Sequence, residues 1–424
     1  MTKNNDQPRE YDLVLGGNNS PPVNGLVLGG ISGVTRRLAS KDLNVRILAL
    51  KDALQYQEEG LNLVIQALQD ESRQVQLLAY QLLRDREEKI AKEAVANYQP
   101  WNLRERFQQY AGYKDQHATV FANRRVENFS IYTGITDTVN VAYSFRYSWQ
   151  EKADITTKFN RLLEDSQRDK VEALIFGRDD NLYSEELSEL IINLLLNNKD
   201  QLQNLKAIFI GDLHRIDSEI SWIRQGNITP VLNAYPNLEI LQLRVGESGA
   251  FFSPTQHQNL KLLIIESSGI STDNLKIICD LNLPALEHLE LWLGTPDYGG
   301  DSSIEDLQPI LFDNLFPNLV YLGLRNSEYT NEIVQVLVNT PILNSISILD
   351  ISMGILTDEG AEILLSCSTI KQLKILNVAE NSLSQEMINK LQKLEIEVIS
   401  DNQKTEENSR FYGYEYYRYC SVTE

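Results

Sequence analysis

The sequence predicts an α/β solenoid, with a parallel sheet on the inside of a curve and helices outside, preceded by a small all-α domain. Three observations carry that prediction. Six-residue segments with apolar residues at the first, fourth and sixth positions recur eight times from Val171 onward. Segments with helical character follow them, several opening on a hydroxyl residue and an early acid. Near the N-terminus, two helical stretches superpose when one is shifted by 30 residues.

The eight segments are VEALIF, LKAIFI, LEILQL, LKLLII, LEHLEL, LVYLGL, ISILDI and LKILNV, starting at residues 171, 205, 238, 260, 286, 319, 346 and 373. Their spacings run from 22 to 34 residues, the period of strand–helix repeats. L-x-x-L-x-L is the strand signature of a leucine-rich repeat, in which each unit buries its apolar face only against its neighbours. Ser184-Glu185-Glu186, Thr330-Asn331-Glu332, Thr357-Asp358-Glu359 and Ser384-Gln385-Glu386 suit helix starts. The asparagine that usually follows the strand survives only as Asn381, with Ser268, Ser327 and Gly354 at the corresponding place elsewhere. Irregular turns are therefore expected.

In the N-terminal part, DLNVRILALKDAL and DESRQVQLLAYQLL place Val45 on Val75, Ala49 on Ala79 and Asp42 close to Asp70. Asp caps a helix start, Val and Leu supply an inner face, and Ala lets helices approach, as in a HEAT-type helical repeat. The expected organisation is a Gly/Pro-rich lead-in at 1–30, HEAT-like repeats at 31–100 and a mixed α/β connecting segment at 101–170. The leucine-rich solenoid follows at 171–403 and an aromatic tail at 404–424. V-L-G-G occurs twice in the lead-in, at 14–17 and 27–30. A Gly-rich turn before a helix can hold an anion. Without a phosphate-loop or dinucleotide fingerprint around it, a structural lead-in is the simpler reading.

The chain has 424 residues and a net charge of −20, of which residues 171–424 carry 16 basic against 37 acidic side chains. Such a surface repels nucleic acid and anionic membrane, so protein partners are expected, with no nucleic acid and no membrane. No apolar run reaches membrane-spanning length, and the opening MTKNNDQPREYD is polar; a cytoplasmic protein is the expectation. The three cysteines and four histidines show no metal-ligand spacing, and no nucleophile motif is present. Neither cofactor, metal nor catalysis is expected.

Strand alternation places three columns of residues on the concave face. Their middle holds Arg244, Glu266, His288, Glu290, Trp292, Tyr321, Arg325 and Asp350. Trp, Tyr and Arg are enriched at binding hot spots, and concave faces are where solenoids bind. These residues form the predicted partner-binding patch, facing solvent. The segment GTPDYGGD leaves the strand beside Trp292, so Asp297, Tyr298 and Asp301 are expected to rim the patch on a specificity loop. A solvated sheet face with modest cross-strand ion pairs is the competing reading.

From about Glu127 onward the chain resembles one bacterial leucine-rich repeat family of unassigned activity. The resemblance is carried by DSEISWIRQGNITPVLNAYPNLEIL (217–241), LEHLELWLGTPDYGGD (286–301), LFPNLVYLGLRNSE (315–328), LDISMGILTDEGAEIL (349–364) and YRYCSVTE (417–424). Members are often encoded beside radical-SAM and sulfatase-like proteins, which implies a non-catalytic partner in a modification pathway. Residues 11–100 resemble an N-terminal module found before assorted domains in cyanobacterial proteins, which implies a portable adaptor. The expected function is therefore a non-catalytic protein-interaction scaffold. The alternative is an accessory subunit whose Trp292, Arg244 and Arg325 hold a substrate for a modifying enzyme. The aromatic tail FYGYEYYRYCSVTE is expected to cap the last repeat, with folding back across the concave patch as the second option.

Overall fold

A computed structural model describes residues 30–70, 72–84, 86–97, 117–179, 184–214, 217–246, 249, 251–404 and 418–423. The chain divides into two compact units, 1–100 and 101–424. The V-L-G-G pair lies outside the described residues except for Gly30.

The first unit is all-helical: α1 Gly30–Leu38, α2 Leu43–Ala53, α3 Gln57–Gln66, α4 Arg73–Arg84 and α5 Lys89–Asn97. Asp42 caps α2, accepting the Asn44 N–H at 2.9 Å, a donor that the first helical turn leaves open, whereas Asp70 accepts the Ser72 N–H at 2.7 Å just ahead of α4. Ala49, Val75 and Ala79 are fully buried in the core between these helices. At Gly60 a Cβ would stand 1.8 Å from the Ala53 carbonyl oxygen, so only glycine lets α3 pack this tightly on α2.

The second unit is built on one sheet of twelve strands in sequence order. They are β1 Val120–Phe121, β2 Arg124–Asn128, β3 Val141–Phe145, β4 Ala173–Gly177, β5 Ala207–Asp212, β6 Ile240–Val245, β7 Leu262–Ser267, β8 His288–Gly294, β9 Tyr321–Ser327, β10 Ile348–Asp350, β11 Ile375–Asn377 and β12 Glu397–Ile399. Only β1 and β2 pair antiparallel; every later pair is parallel. β4 to β11 are the eight leucine-rich segments. Their register aligns Ala173, Ala207, Ile240, Leu262, His288, Tyr321, Ile348 and Ile375 as one row. The α/β leucine-rich solenoid is thus observed strand by strand. On the helix side, the repeated leucines form one continuous core with Leu241, Leu263, Leu289, Leu322, Leu349 and Leu376 at its centre.

The sheet is longer than the leucine beat. β2 and β3, in the segment expected to be mixed α/β, extend it ahead of Val171. β12 extends it after the last recognisable repeat. The turns are irregular, as the missing asparagines require. Where Asn381 survives, its amide donates to the carbonyls of Ile351 and Val378 and accepts the Leu356 N–H at 2.9 Å. Gln403 plays the same part after β12: its side chain accepts from Leu383 N and donates to Val378 O. Together β12 and Gln403 close the last repeat.

One buried histidine ties the fold to pH. His257 donates from Nε2 to the Tyr235 carbonyl at 3.0 Å, and Nδ1 accepts the Asn259 N–H at 3.3 Å, so the ring sits neutral. Burial holds its pKa below the ordinary 6.5. The unfolded chain then binds a proton that the folded chain refuses, so stability is fully present above pH 6.5 and falls as the pH drops through the folded value. His257→Gln is expected to flatten this slope in thermal melts between pH 7 and 5 (roughly, from the ordinary imidazole range). An unchanged slope would remove His257 from the account.

Candidate functional site

Each residue of the expected patch lies where alternation places it, on the concave side of β6 to β10. The structure brings them together, but not in solvent. Glu266, Glu290, Arg325 and Asp350 have no exposed surface, His288, Trp292 and Tyr321 are at 1%, and Arg244 is at 6%. The expected open, solvated patch is therefore corrected to a buried polar layer. Its physical reason is that other parts of the chain cover the concave side, which strand alternation cannot reveal.

Inside that layer the side chains satisfy one another. Glu290 is the hub: Oε1 accepts from Trp292 Nε1 at 2.7 Å and Arg325 Nη1 at 2.9 Å, while Tyr321 OH lies 3.2 Å from Oε2. Arg325 also donates from Nε to Ser352 Oγ at 3.0 Å and stands 3.3 Å from Asp350. Its guanidinium is 5.6 Å from the Trp292 ring, within cation–π range. Asp350 accepts from Ser352 N, Ser352 Oγ and Asn377 Nδ2. The His288 and Tyr321 rings stack 3.8 Å apart, with His288 Nε2 3.4 Å from Glu290. A second cluster joins Arg244 Nε to Glu266 at 3.0 Å and Gln242 Nε2 to the same carboxylate at 2.8 Å. Buried charges persist only when paired and hydrogen-bonded like this.

Among the described residues, several segments outside these strands lie against the layer: Leu213, Ile220 and Ile223 share one apolar cluster with Trp292, Tyr321 and Ile348, and Arg244 Nη1 donates to Leu213 O at 2.7 Å. Over the first half, Phe121 packs its ring 5.9 Å from Phe209 in a cluster with Ala173, Ile175, Ala207 and Ile240. There Asp212 accepts from Ala118 N at 3.0 Å and from Arg146 Nε at 2.9 Å. Burial, with the Arg146 guanidinium nearby, holds the adjacent His117 imidazole below its usual range. Over the second half lies the C-terminal segment 418–423. Asn326 grips Val422 through both main-chain groups: Oδ1 accepts Val422 N at 2.9 Å and Nδ2 donates to Val422 O at 2.6 Å. Ser421 N donates to Met353 O at 2.8 Å, and the Cys420 sulfur lies 3.9 Å from Gly294 O. The Val422 side chain joins the apolar cluster of Trp292, Tyr321, Ile348 and Met353. The expected capping of the last repeat is thus corrected for these residues. They fold back onto the rim of the concave side, because their main chain finds its partners on β8, β9 and the turn after β10. Burial pushes the Cys420 thiol up to about 12, which keeps it a neutral packing group.

The loop after Trp292 is anchored rather than free. Gly294 opens it at φ +72° and Gly300 N closes it by donating to Thr295 O at 2.9 Å. Asp301 reaches across the surface to the neighbouring repeat, accepting the Thr272 N–H at 2.7 Å at the start of helix Thr272–Cys279. Asp297 and Asp301 are both exposed and Tyr298 is half-buried. Burial and the nearby Asp297 raise the pKa of Glu328 beside it. Sequence reasoning missed Asn326, Asp212 and Arg146; their partners lie tens of residues away, and no local pattern marks them. Among the described residues, no group of three or more His, Cys, Asp or Glu side chains is placed to hold a metal ion.

No protein-family model and no curated protein matches the chain. Among solved structures, a Bacteroides fragilis protein determined as a structural-genomics target is 30% identical, covers 62% of this chain and 75% of its own, and superposes with a TM-score of 0.57. An internalin from Listeria monocytogenes is 14% identical over 63% of this chain and 72% of its own, with a TM-score of 0.29. A chain of the yeast Rad7–Elc1 complex is 10% identical over 85% of this chain and 98% of its own, with a TM-score of 0.28. With identity at that level over three quarters of the Bacteroides fragilis protein, this chain belongs to the same family as that protein.

Proposed function

We propose that the chain is a non-catalytic protein-interaction scaffold, in which the rim of the concave side of the leucine-rich array receives a polypeptide segment. One observation carries this: the rim already holds a polypeptide, its own residues 418–423, through main-chain hydrogen bonds that any sequence can supply. Main-chain pairing gives affinity, and a side-chain slot gives choice. The acidic balance of the solenoid half fits a protein partner better than nucleic acid. The HEAT-like helical unit would hold a second partner, as repeat helices present long surfaces. In the substrate-holding alternative, Arg244, Trp292 and Arg325 would contact the substrate. Their bonds to Glu266, Glu290 and Ser352 favour the scaffold instead.

A photo-cross-linking side chain placed at Asp297 tests the reading inside host cells, with Glu362, on an outer helix, as control. The expected result is a protein adduct at Asp297 that is absent at Glu362. No adduct at Asp297, or the same adducts at both positions, would overturn the scaffold reading at this rim.

A further inference from the structure

The C-terminal segment occupies its place differently from the array beneath it. The array's core residues are held by repeats on both sides, whereas Cys420, Ser421 and Val422 belong to no strand and dock through a few bonds. Lys404 stands where the chain leaves the array and where it returns, donating to Gly354 O and to Tyr419 O, each at 2.8 Å. Fourteen residues, 405–418, separate Lys404 from Tyr419 in the sequence. Beneath the segment lie the Asn326 side-chain amide and the Met353 carbonyl, both paired with its main chain, while the Gly294 carbonyl faces the Cys420 sulfur.

We infer that residues 419–423 are an internal ligand held in cis in a peptide-binding subsite, and that a partner's segment takes the same place when the tail leaves. Resting on the scaffold reading above, this names the partner's chemistry and its regulation. The incoming segment is short and non-helical. It offers one main-chain N–H and C=O to Asn326, a β-branched residue to the slot of Trp292, Tyr321, Ile348 and Met353, and a small residue just before it. A tethered ligand acts at an effective concentration on the order of millimolar, so the tail blocks weak competitors and yields only to a strong or multivalent one.

The test uses the full chain, a chain lacking 418–424 and the full-length variant Val422→Asp, which evicts the tail without shortening the chain. The probe is the fluorescent peptide Tyr-Cys-Ser-Val-Thr-Glu, copied from 419–424. Fluorescence anisotropy is expected to show saturable binding to both open forms, and binding at least about tenfold weaker to the wild type because its own tail competes. A peptide with aspartate at the Val422 position is expected not to bind.

Peptide that binds neither open form, while both melt close to the wild type, would overturn the inference. So would equal binding to the wild type. Loss of folding in both open forms would also overturn it, showing the tail to be core and not ligand. Dimers of the wild type that vanish with the tail would replace the cis assignment by exchange between copies. Failure here leaves the cross-linking result at Asp297 standing. Failure there, with peptide binding intact, would leave the tail as a purely internal device.

Discussion

Arg325→Met is expected to destabilise the array by about 3–5 kcal/mol, the cost of stripping one partner from a buried ion pair. The wild-type guanidinium bonds Glu290 at 2.9 Å and lies 3.3 Å from Asp350, with all three side chains at zero exposure. Methionine fills much of the volume and leaves both carboxylates facing the Trp292 and Tyr321 rings uncompensated. Adding Glu290→Gln and Asp350→Asn removes those charges, so the triple variant is expected to regain most of the loss. Urea denaturation with an unchanged slope reads both results. A single-variant loss below about 1 kcal/mol is what an exposed pair gives, and it would return Arg325 to the surface. The same arithmetic governs interaction studies. Trp292→Ala, which opens a cavity under the tail, is expected to cost on the order of 3–5 kcal/mol, so lost binding in either variant must be separated from lost folding.

Gly294→Ala is expected to cost roughly 2–5 kcal/mol, because backbone strain and steric overlap add at one position. Gly294 sits at φ +72°, and an added Cβ would stand 1.8 Å from Ser268 O and 2.2 Å from its carbonyl carbon. Both atoms are backbone, so no rotamer change relieves the clash. The residue is also the point at which the chain leaves β8 for the Thr295–Gly300 turn, and its carbonyl faces Cys420. The variant is therefore expected to loosen the tail as well as the loop. Gly249→Ala is the control: among the described residues nothing stands within 4 Å of its Cβ, and no measurable loss is expected in parallel melts. Equal melting temperatures for the two variants would contradict the close approach of β8 to the Ser268 turn.

How far the sequence reached is clear from particular residues. The row from Ala173 to Ile375 was readable because each strand keeps its apolar first, fourth and sixth positions, and a one-residue slip would turn every leucine outward. β12 was not readable for the same reason. Aligned on LKILNV, its segment EIEVIS keeps only Val398 of the three apolar positions, yet it pairs with β11 residue for residue. β3 replaces the leucines with Tyr143 and Phe145, which preserve burial and hide the beat.

The candidate site was half readable. Alternation assigned Arg244, Glu266, Glu290, Trp292, Arg325 and Asp350 to the right face. It could not say what lies over that face. Trp, Tyr and Arg beside carboxylates describe a binding hot spot and a buried ion network equally well. The deciding contact, Asn326 to Val422, spans 96 residues and leaves no local pattern. The aromatic run before Cys420 drew attention to capping, whereas the described anchoring is done by Ser421 and Val422.

The peptide-receiving rim and the tail as its internal ligand both depend on the seat of residues 418–423. Hydrogen–deuterium exchange of the C-terminal peptide, in the wild type and in Asn326→Ala, tests it most directly. Slow exchange at the Ser421 and Val422 amides is predicted in the wild type, where they are bonded to Met353 O at 2.8 Å and Asn326 Oδ1 at 2.9 Å. Protection of Val422 is predicted to be lost in the variant while the β6–β9 amides stay protected. Exchange of the wild-type tail at the rate of an unfolded peptide would contradict the account.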